Sequence, residues 1–136
     1  MCKQKIKRVD LIFFIVFLII VIYLQYGRDM DAYNSYVFSV GSHNEQNLKI
    51  VANKLWIKDK RKYADEILEK CKANSFKSID FCYDNYIPNE LYVDVYLSDT
   101  EVRKGCPAFS FSYLPEDLGT EYNFIEDSAK YILKIQ

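Results

Sequence analysis

The hydrophobic pattern of the chain is dominated by one apolar run close to the N-terminus. Residues 11–24 read LIFFIVFLIIVIYL, and no charged residue occurs between Leu11 and Gly27. As a helix, residues 11–27 would measure about 25 Å at 1.5 Å per residue, which is near the lower limit for crossing a bilayer. The run has no polar face, which argues against a buried helix of a soluble domain. We therefore predict a transmembrane anchor over residues 11–27.

The residues that flank this run predict its orientation and its retention. Residues 1–10 carry four basic side chains and one acid, whereas the other flank begins with Arg28 and Asp29. By the positive-inside rule, residues 1–10 form a basic cytoplasmic tail and the chain from residue 28 onward lies outside. A signal-peptide cleavage site needs small residues, but Tyr23 to Tyr26 are bulky. We expect an uncleaved signal-anchor of a single-pass protein in the cell membrane.

Beyond the anchor, the pattern first changes to a mixed segment and then to helical spacing. Residues 28–43 form a juxtamembrane segment in which Tyr36, Phe38 and Val40 alternate with smaller or polar residues, so a short strand is one reading. Ser42 and Glu45 then have the spacing of a capping box. Apolar residues at helical intervals follow and predict a first helix over about residues 44–57: Leu48, Val51, Ala52 and Leu55.

A second amphipathic helix is predicted over about residues 60–73. Asp59 precedes it as the expected N-cap, and Asn74 follows as a suitable stop. Its apolar positions lie on one stripe, with lysine and glutamate on the other side: Tyr63, Ala64, Ile67, Leu68 and Cys71.

From residue 77 onward the period changes from 3.6 to 2, which predicts strands. Alternation is clear in residues 77–83 (KSIDFCY), 91–98 (LYVDVYLS) and 108–114 (AFSFSYL). Residues 121–125 predict a weaker strand, and residues 129–135 a final strand or a short helix. A hairpin that pairs Tyr83 with Leu91, followed by a meander that pairs Phe109 with Val95 and Phe111 with Val93, makes one face wholly apolar.

These elements together predict an α+β protein. An N-terminal transmembrane helix is followed, over residues 44–136, by a small two-layer extracytoplasmic domain. Two amphipathic helices would cover one face of an antiparallel sheet of three to five strands. The sheet's other face would carry Asp80 directly opposite Asp94.

This second sheet face is the candidate binding site. It would present Asp80, Tyr92, Asp94 and Tyr96, and tyrosine is enriched in protein interfaces. The alternative is a solvated face whose tyrosines cover their neighbours. Two carboxylates alone are a weak indication of a bound cation, so we predict neither a metal nor a cofactor.

The cysteines offer one candidate disulfide. In the predicted register, Cys82 and Cys106 lie at opposite ends of the sheet, about 20 Å apart, beyond the reach of a disulfide. Cys71 would end the second helix near the Cys106 end, so a Cys71–Cys106 bridge is the pairing to consider. Buried reduced thiols are the alternative.

Composition narrows the possible function classes. Residues 28–136 carry 14 basic and 18 acidic residues, a net charge of −4, which is unlike the basic footprint of a nucleic-acid binder. The chain has one histidine, His43, in a polar segment, and no catalytic motif. We therefore expect no enzymatic role.

The function expected from the sequence is binding by a membrane-anchored domain. Besides the lipid bilayer, its partner would be another envelope protein or a surface ligand, and the oligomeric state is not predicted. Richness in Lys, Ile, Asn and Tyr suggests a bacterial source.

Two alternatives stay open. A pilin-like assembly subunit would need Gly before Phe-Thr-Leu-x-Glu, whereas this chain has Arg8, Val9, Asp10 and Leu11. An enzyme would have to use Asp80 and Asp94, or a thiol.

Overall fold

The computed structural model describes residues 7–117 and 121–136, so most of the predicted tail over residues 1–10 lies outside the described part. The fold is α+β, as expected. Its elements in chain order are α1 (Arg8–Tyr26), β1 (Asp31–Val40), β2 (His43–Val51), α2 (Lys60–Ala73), β3 (Glu90–Tyr96), α3 (Asp99–Lys104), β4 (Phe109–Pro115), a 3₁₀ turn (Ser128–Lys130) and β5 (Tyr131–Ile135).

Helix α1 is an apolar rod that stands away from the rest of the chain. Its 19 residues correspond to about 28 Å, and its large hydrophobic side chains are almost all exposed. The helix is long enough and apolar enough to cross a membrane. Gln25, in its last turn, is its one buried residue and contacts the domain that follows.

The five strands form a single sheet whose spatial order is the order of the chain, β1-β2-β3-β4-β5. The prediction of a purely antiparallel sheet is wrong, because β2 and β3 are parallel while the other three pairs are antiparallel. Helix α2 connects β2 to β3. A helical crossover of this kind returns the chain to the same end of the sheet and makes the two strands parallel.

The predicted first helix over residues 44–57 is the other clear error. These residues form most of β2, in which Gln46, Leu48 and Ile50 are buried at every second position. One long helix therefore covers the sheet, where two were expected. Strands β1 and β2 form a hairpin around Gly41 and Ser42, and the positive φ of Gly41 (62°) suits a two-residue turn of this type.

Helix α2 has the predicted bounds and caps. The Asp59 carboxylate accepts a hydrogen bond from the amide of Lys62 at 3.1 Å. Asn74 adopts the left-handed conformation (φ 52°), and its backbone N–H donates to the carbonyls of Lys70 and Cys71. The predicted apolar stripe is buried against the inner face of the sheet: Tyr63, Ala64, Ile67, Leu68 and Cys71.

The register between β3 and β4 is also as predicted, with Phe109 opposite Val95 and Phe111 opposite Val93. The final strand is present as β5, antiparallel to β4. Residues 77–83 are not a strand, so the predicted hairpin through Tyr83 and Leu91 is wrong. The alternation there is nevertheless real, because Ile79, Phe81 and Tyr83 all pack against the core.

The weak strand predicted over residues 121–125 is also absent from the structure. Phe124 of that segment is fully buried and joins the same core.

Candidate binding surfaces

The predicted sheet-face site is only partly assembled. Tyr92 and Asp94 lie on the outer face of β3, opposite the buried Leu91 and Val93. Asp94 accepts a hydrogen bond from the hydroxyl of Ser110 at 2.6 Å, and its neighbour across the parallel ladder is Lys49. The Ser110 hydroxyl therefore already occupies part of the hydrogen-bonding capacity of this carboxylate.

Tyr92 is held by acidic neighbours on the same face. Its hydroxyl donates to the Glu90 carboxylate at 3.2 Å. Burial, followed by the charges of Glu90 and Glu45, raises the pKa of the Tyr92 phenol. The phenol therefore stays protonated and acts as a hydrogen-bond donor.

The two other predicted site residues lie elsewhere. Tyr96 is buried with Val51 and Val102 beneath α3, so it presents no surface to a partner. Asp80 lies in the segment that packs on the inner side of the sheet, where its carboxylate accepts a hydrogen bond from Asn74 Nδ2 at 2.6 Å. The predicted pairing of Asp80 with Asp94 is wrong, because β2 and β4 flank β3 and the two carboxylates belong to opposite layers.

The cysteines of the described chain are free thiols, so the structure does not contain the predicted Cys71–Cys106 bridge. Cys71 is buried, whereas Cys82 and Cys106 are exposed. Burial raises the pKa of the Cys71 thiol to about 12, against a small opposing effect of Lys72. Cys71 is thus a neutral core residue at ordinary pH, and a thiol of this kind is a poor nucleophile.

Residues 7–117 and 121–136 contain no group of three His, Cys, Asp or Glu side chains placed to hold a metal ion.

A surface that was not predicted as a site lies along β1, at the edge of the sheet. The side chains of Tyr36, Phe38 and Val40 are 58%, 62% and 64% exposed and share the outer face. In the described chain the backbone ladder of β1 pairs with β2 alone. A long edge strand with a free ladder and exposed aromatic side chains is a template for pairing with another chain.

A groove runs beside this edge on the inner side of the sheet. Ser35 and Val37 of β1, Gln46 of β2 and the segment around Phe81 and Tyr86 enclose a cavity of about 220 Å³. Gln46 is 2% exposed, and its Nε2 donates to the Ser35 hydroxyl at 3.0 Å. Its Oε1 has no hydrogen-bond partner within the described residues. A buried carbonyl without a hydrogen-bond donor is energetically costly. A bound group that supplies a donor to this oxygen would therefore be stabilised.

The sequence carried one signal for this surface. The alternation of Tyr36, Phe38 and Val40 predicts a strand, and that strand is present. The strand is exposed because it lies at the edge of the sheet. That position depends on how β2, β3, β4 and β5 pair.

No protein family model, curated protein or solved structure matches this chain.

Proposed function

We propose that this chain is a single-pass membrane protein whose extracytoplasmic domain binds an extended segment of another envelope protein along β1. The free outer edge of β1, with its aromatic side chains and adjoining groove, is the observation that carries the proposal. Addition of a strand to an exposed sheet edge is a recurring mode of peptide recognition, in which backbone bonds give affinity and pockets give specificity.

Membrane anchoring is supported by α1. Its exposed apolar side chains leave a large hydrophobic surface that the domain does not cover, and such a surface needs a lipid or protein environment. The excess of basic residues before the helix favours a cytoplasmic N-terminus and an external domain.

The geometry of the β1–β2 hairpin defines which groups of β1 are free. In a two-residue hairpin the residues that flank the turn, here Val40 and His43, exchange backbone hydrogen bonds. By alternation, the backbone groups of Ser39, Val37 and Ser35 point away from β2. An added strand would bond to these groups. It would place alternate side chains in the groove and against the aromatic outer face.

Gln46 supplies a polar point of recognition within the groove. Its unpartnered Oε1 would accept a hydrogen bond from an amide or hydroxyl group of the bound segment. We therefore expect a partner segment with β-forming residues and at least one side-chain donor that enters the groove.

Site-specific photocrosslinking in the native cells tests the proposal. A photoreactive phenylalanine analogue at Phe38 should give a discrete crosslinked species. The same analogue at Ile132, which is 51% exposed on β5 at the other edge, is the matched control. Equal crosslinking from the two positions, or none from Phe38, would contradict binding along β1.

Two variants probe the strand edge and the groove, and Val37→Pro acts on both because Val37 also lines the groove. Val37→Pro removes an outward N–H, which edge strands tolerate, and should reduce the Phe38 crosslink about ten-fold, the effect of roughly one hydrogen bond. Gln46→Leu keeps the volume and should weaken the crosslink several-fold while the free energy of unfolding changes by less than about 1 kcal/mol. Undiminished crosslinking in folded Gln46→Leu protein would rule out recognition through the groove.

The orientation is tested with a membrane-impermeant maleimide. Cys82 and Cys106 are exposed and should react in intact cells. Reaction only after lysis would show that the domain lies on the cytoplasmic side.

A further inference from the structure

The end of α1 is locked to the loop that precedes α2. The Gln25 side chain accepts hydrogen bonds from the amides of Leu55 and Trp56, at 2.8 and 3.2 Å. Its Nε2 donates to the Trp56 carbonyl at 2.9 Å. The Lys54 ammonium group donates to the main-chain carbonyl of Gln25, also at 2.9 Å. Residues 54–56 are therefore held at a fixed position against the last turn of the helix.

The tip of this loop is apolar and exposed. Leu55 is 41% exposed and Trp56 is 47% exposed, beside an exposed Tyr26. Tryptophan and tyrosine concentrate at the boundary between hydrocarbon and water. If α1 crosses a bilayer, this loop lies at the depth of the headgroups.

Positive charge is concentrated at the same end of the domain. Residues 54–62 read KLWIKDKRK, with five basic residues and one acid, although the chain from residue 28 onward is net negative. Lys58, Lys60, Arg61 and Lys62 are all exposed. A cluster of cations next to a membrane-spanning helix is complementary to anionic lipid.

The lysines also line a cavity. A space of about 290 Å³ lies between the end of α1 and the start of α2, with Lys54, Lys58 and Lys62 on its wall. Tyr63 lines it too, and its hydroxyl is buried without a hydrogen-bond partner in the described chain. Of the acids in the lining, Asp59 is engaged in capping α2.

The other acid, Glu66, lies near Tyr63. Burial, and then the charge of Glu66, raise the pKa of the Tyr63 phenol, so it remains a donor. The free groups of the cavity are therefore mostly hydrogen-bond donors, two of them cationic, because Lys54 is already bonded to Gln25. A phosphate offers several acceptor oxygens and negative charge, and matches such a donor set.

We propose that this cavity binds the headgroup phosphate of an anionic phospholipid, from the leaflet in which α1 ends, through Lys58, Lys62 and Tyr63. The inference rests on the proposed membrane anchoring. Lipid is favoured over a soluble phosphate because Leu55 and Trp56 extend the same surface with apolar area that a soluble ion would leave exposed. Headgroup binding would fix the orientation of the sheet, and hence of β1, relative to the membrane.

Trp56 is the only tryptophan of the chain and serves as the probe. The full-length protein is placed in bilayer nanodiscs that contain brominated phosphatidylglycerol or brominated phosphatidylcholine at equal fractions. Quenching of Trp56 fluorescence then measures the relative affinity for the two headgroups. We expect preference for the anionic lipid, and Lys58→Gln with Lys62→Gln should lower it by about five-fold for each lysine removed.

The matched control is Lys130→Gln with Lys134→Gln, which removes the same charge from exposed positions at and beside β5 and should leave the preference unchanged. Tyr63→Phe, which deletes only the hydroxyl, should lower it a few-fold.

Each remaining outcome overturns a defined part of the inference. Equal quenching by the two lipids, or a preference that survives the Lys58 and Lys62 substitutions, shows that the cavity does not bind an anionic headgroup. Loss of the preference in millimolar inorganic phosphate shows that the cavity takes the free ion instead. Extraction of the wild-type chain from membranes by alkaline carbonate would refute the anchoring itself. Retention in the membrane together with equal quenching would refute headgroup binding but leave the anchoring intact.

Discussion

The side chain of Gln25 and the main chain of Trp56 exchange two hydrogen bonds, from Nε2 to the carbonyl at 2.9 Å and from the amide to Oε1 at 3.2 Å. The carboxamide thus pairs with the loop as a peptide group of a neighbouring strand would. Asn74 does the same at the end of α2. Its Oδ1 accepts from the Phe81 amide at 2.8 Å, and its Nδ2 donates to the Phe81 carbonyl at 2.9 Å. Two side-chain amides therefore secure segments that have no place in the sheet.

Substitution of Gln25 should release the loop from α1. Gln25→Leu preserves size but removes the partners of the Leu55 and Trp56 amides. We expect hydrogen exchange of these amides to accelerate about ten-fold or more, because each lost bond is worth about 1 kcal/mol. Exchange is measured by mass spectrometry, with Gln136→Leu at the exposed C-terminus as the control. Unchanged protection of residues 55 and 56 would show that the loop is held by other contacts.

Two substitutions of Asn74 should differ in a defined way. Asn74→Gly loses the bonds to Phe81 and Asp80 but accommodates the left-handed backbone (φ 52°), so the free energy of unfolding should fall by about 2 kcal/mol. For Asn74→Ala the free energy of unfolding should fall by about 1 kcal/mol more, because alanine is strained in that conformation. Urea denaturation measures both, with exposed Asn85→Ala as the control. Equal losses for glycine and alanine would exclude the backbone contribution.

The thiols should differ in reactivity. With its pKa raised to about 12 by burial, Cys71 should resist alkylation at pH 8 and still at pH 9.5, whereas the exposed Cys82 and Cys106 react. Peptide mapping after iodoacetamide treatment, with and without denaturant, distinguishes the sites. A peptide that contains Cys71 linked to Cys106 under non-reducing conditions would instead establish the predicted disulfide.

Asp31 should contribute to stability in a defined pH range. Burial opposes its ionisation, but bonds from the hydroxyl and amide of Ser78 and the amides of Ala32 and Lys77 outweigh it, so the pKa of Asp31 lies below its ordinary value of 3.8. A lowered pKa in the folded state means that this contribution is complete above about pH 4 and is lost as the pH falls further. Wild type should therefore lose more stability between pH 5 and 2 than Asp31→Asn.

Urea denaturation across that pH range measures the difference. Asp84→Asn, at an exposed position, should keep the wild-type pH dependence. Identical profiles for wild type and Asp31→Asn would show that the Ser78 contacts do not favour the ionised carboxylate.

Local signals in the sequence were sufficient for α2, β3 and β4. Asp59 and Asn74 cap α2 through interactions with residues only a few positions away, so their roles are visible in the sequence. The β3–β4 register follows from placing Phe109 and Phe111 on the same face as Val93 and Val95.

The predictions from the sequence were wrong where the helical and strand periods coincide, and where a long-range contact determines which strands pair. Leu48, Val51 and Ala52 fit helical spacing, and the polar Gln46 on the inner face hides the period of 2 in β2. Val51 is apolar for a different reason, since it packs outward against Tyr96 and Val102. Residues 79–83 alternate because they cover the core, but the ladder position beside β3 is taken by β2. The β1 groove depends on the same pairing and was missed with it.

The agreement between strand order and chain order has a consequence for biogenesis. Each strand of the sheet pairs with the strand synthesised immediately before it, so no ladder waits for a distant part of the polypeptide. Nascent chain that emerges from the ribosome could assemble progressively from its N-terminal end, with α2 completing the β2–β3 crossover before β3 appears. The last step would be the addition of β5, which leaves the outer edge of the earliest strand, β1, unpaired within residues 7–117 and 121–136.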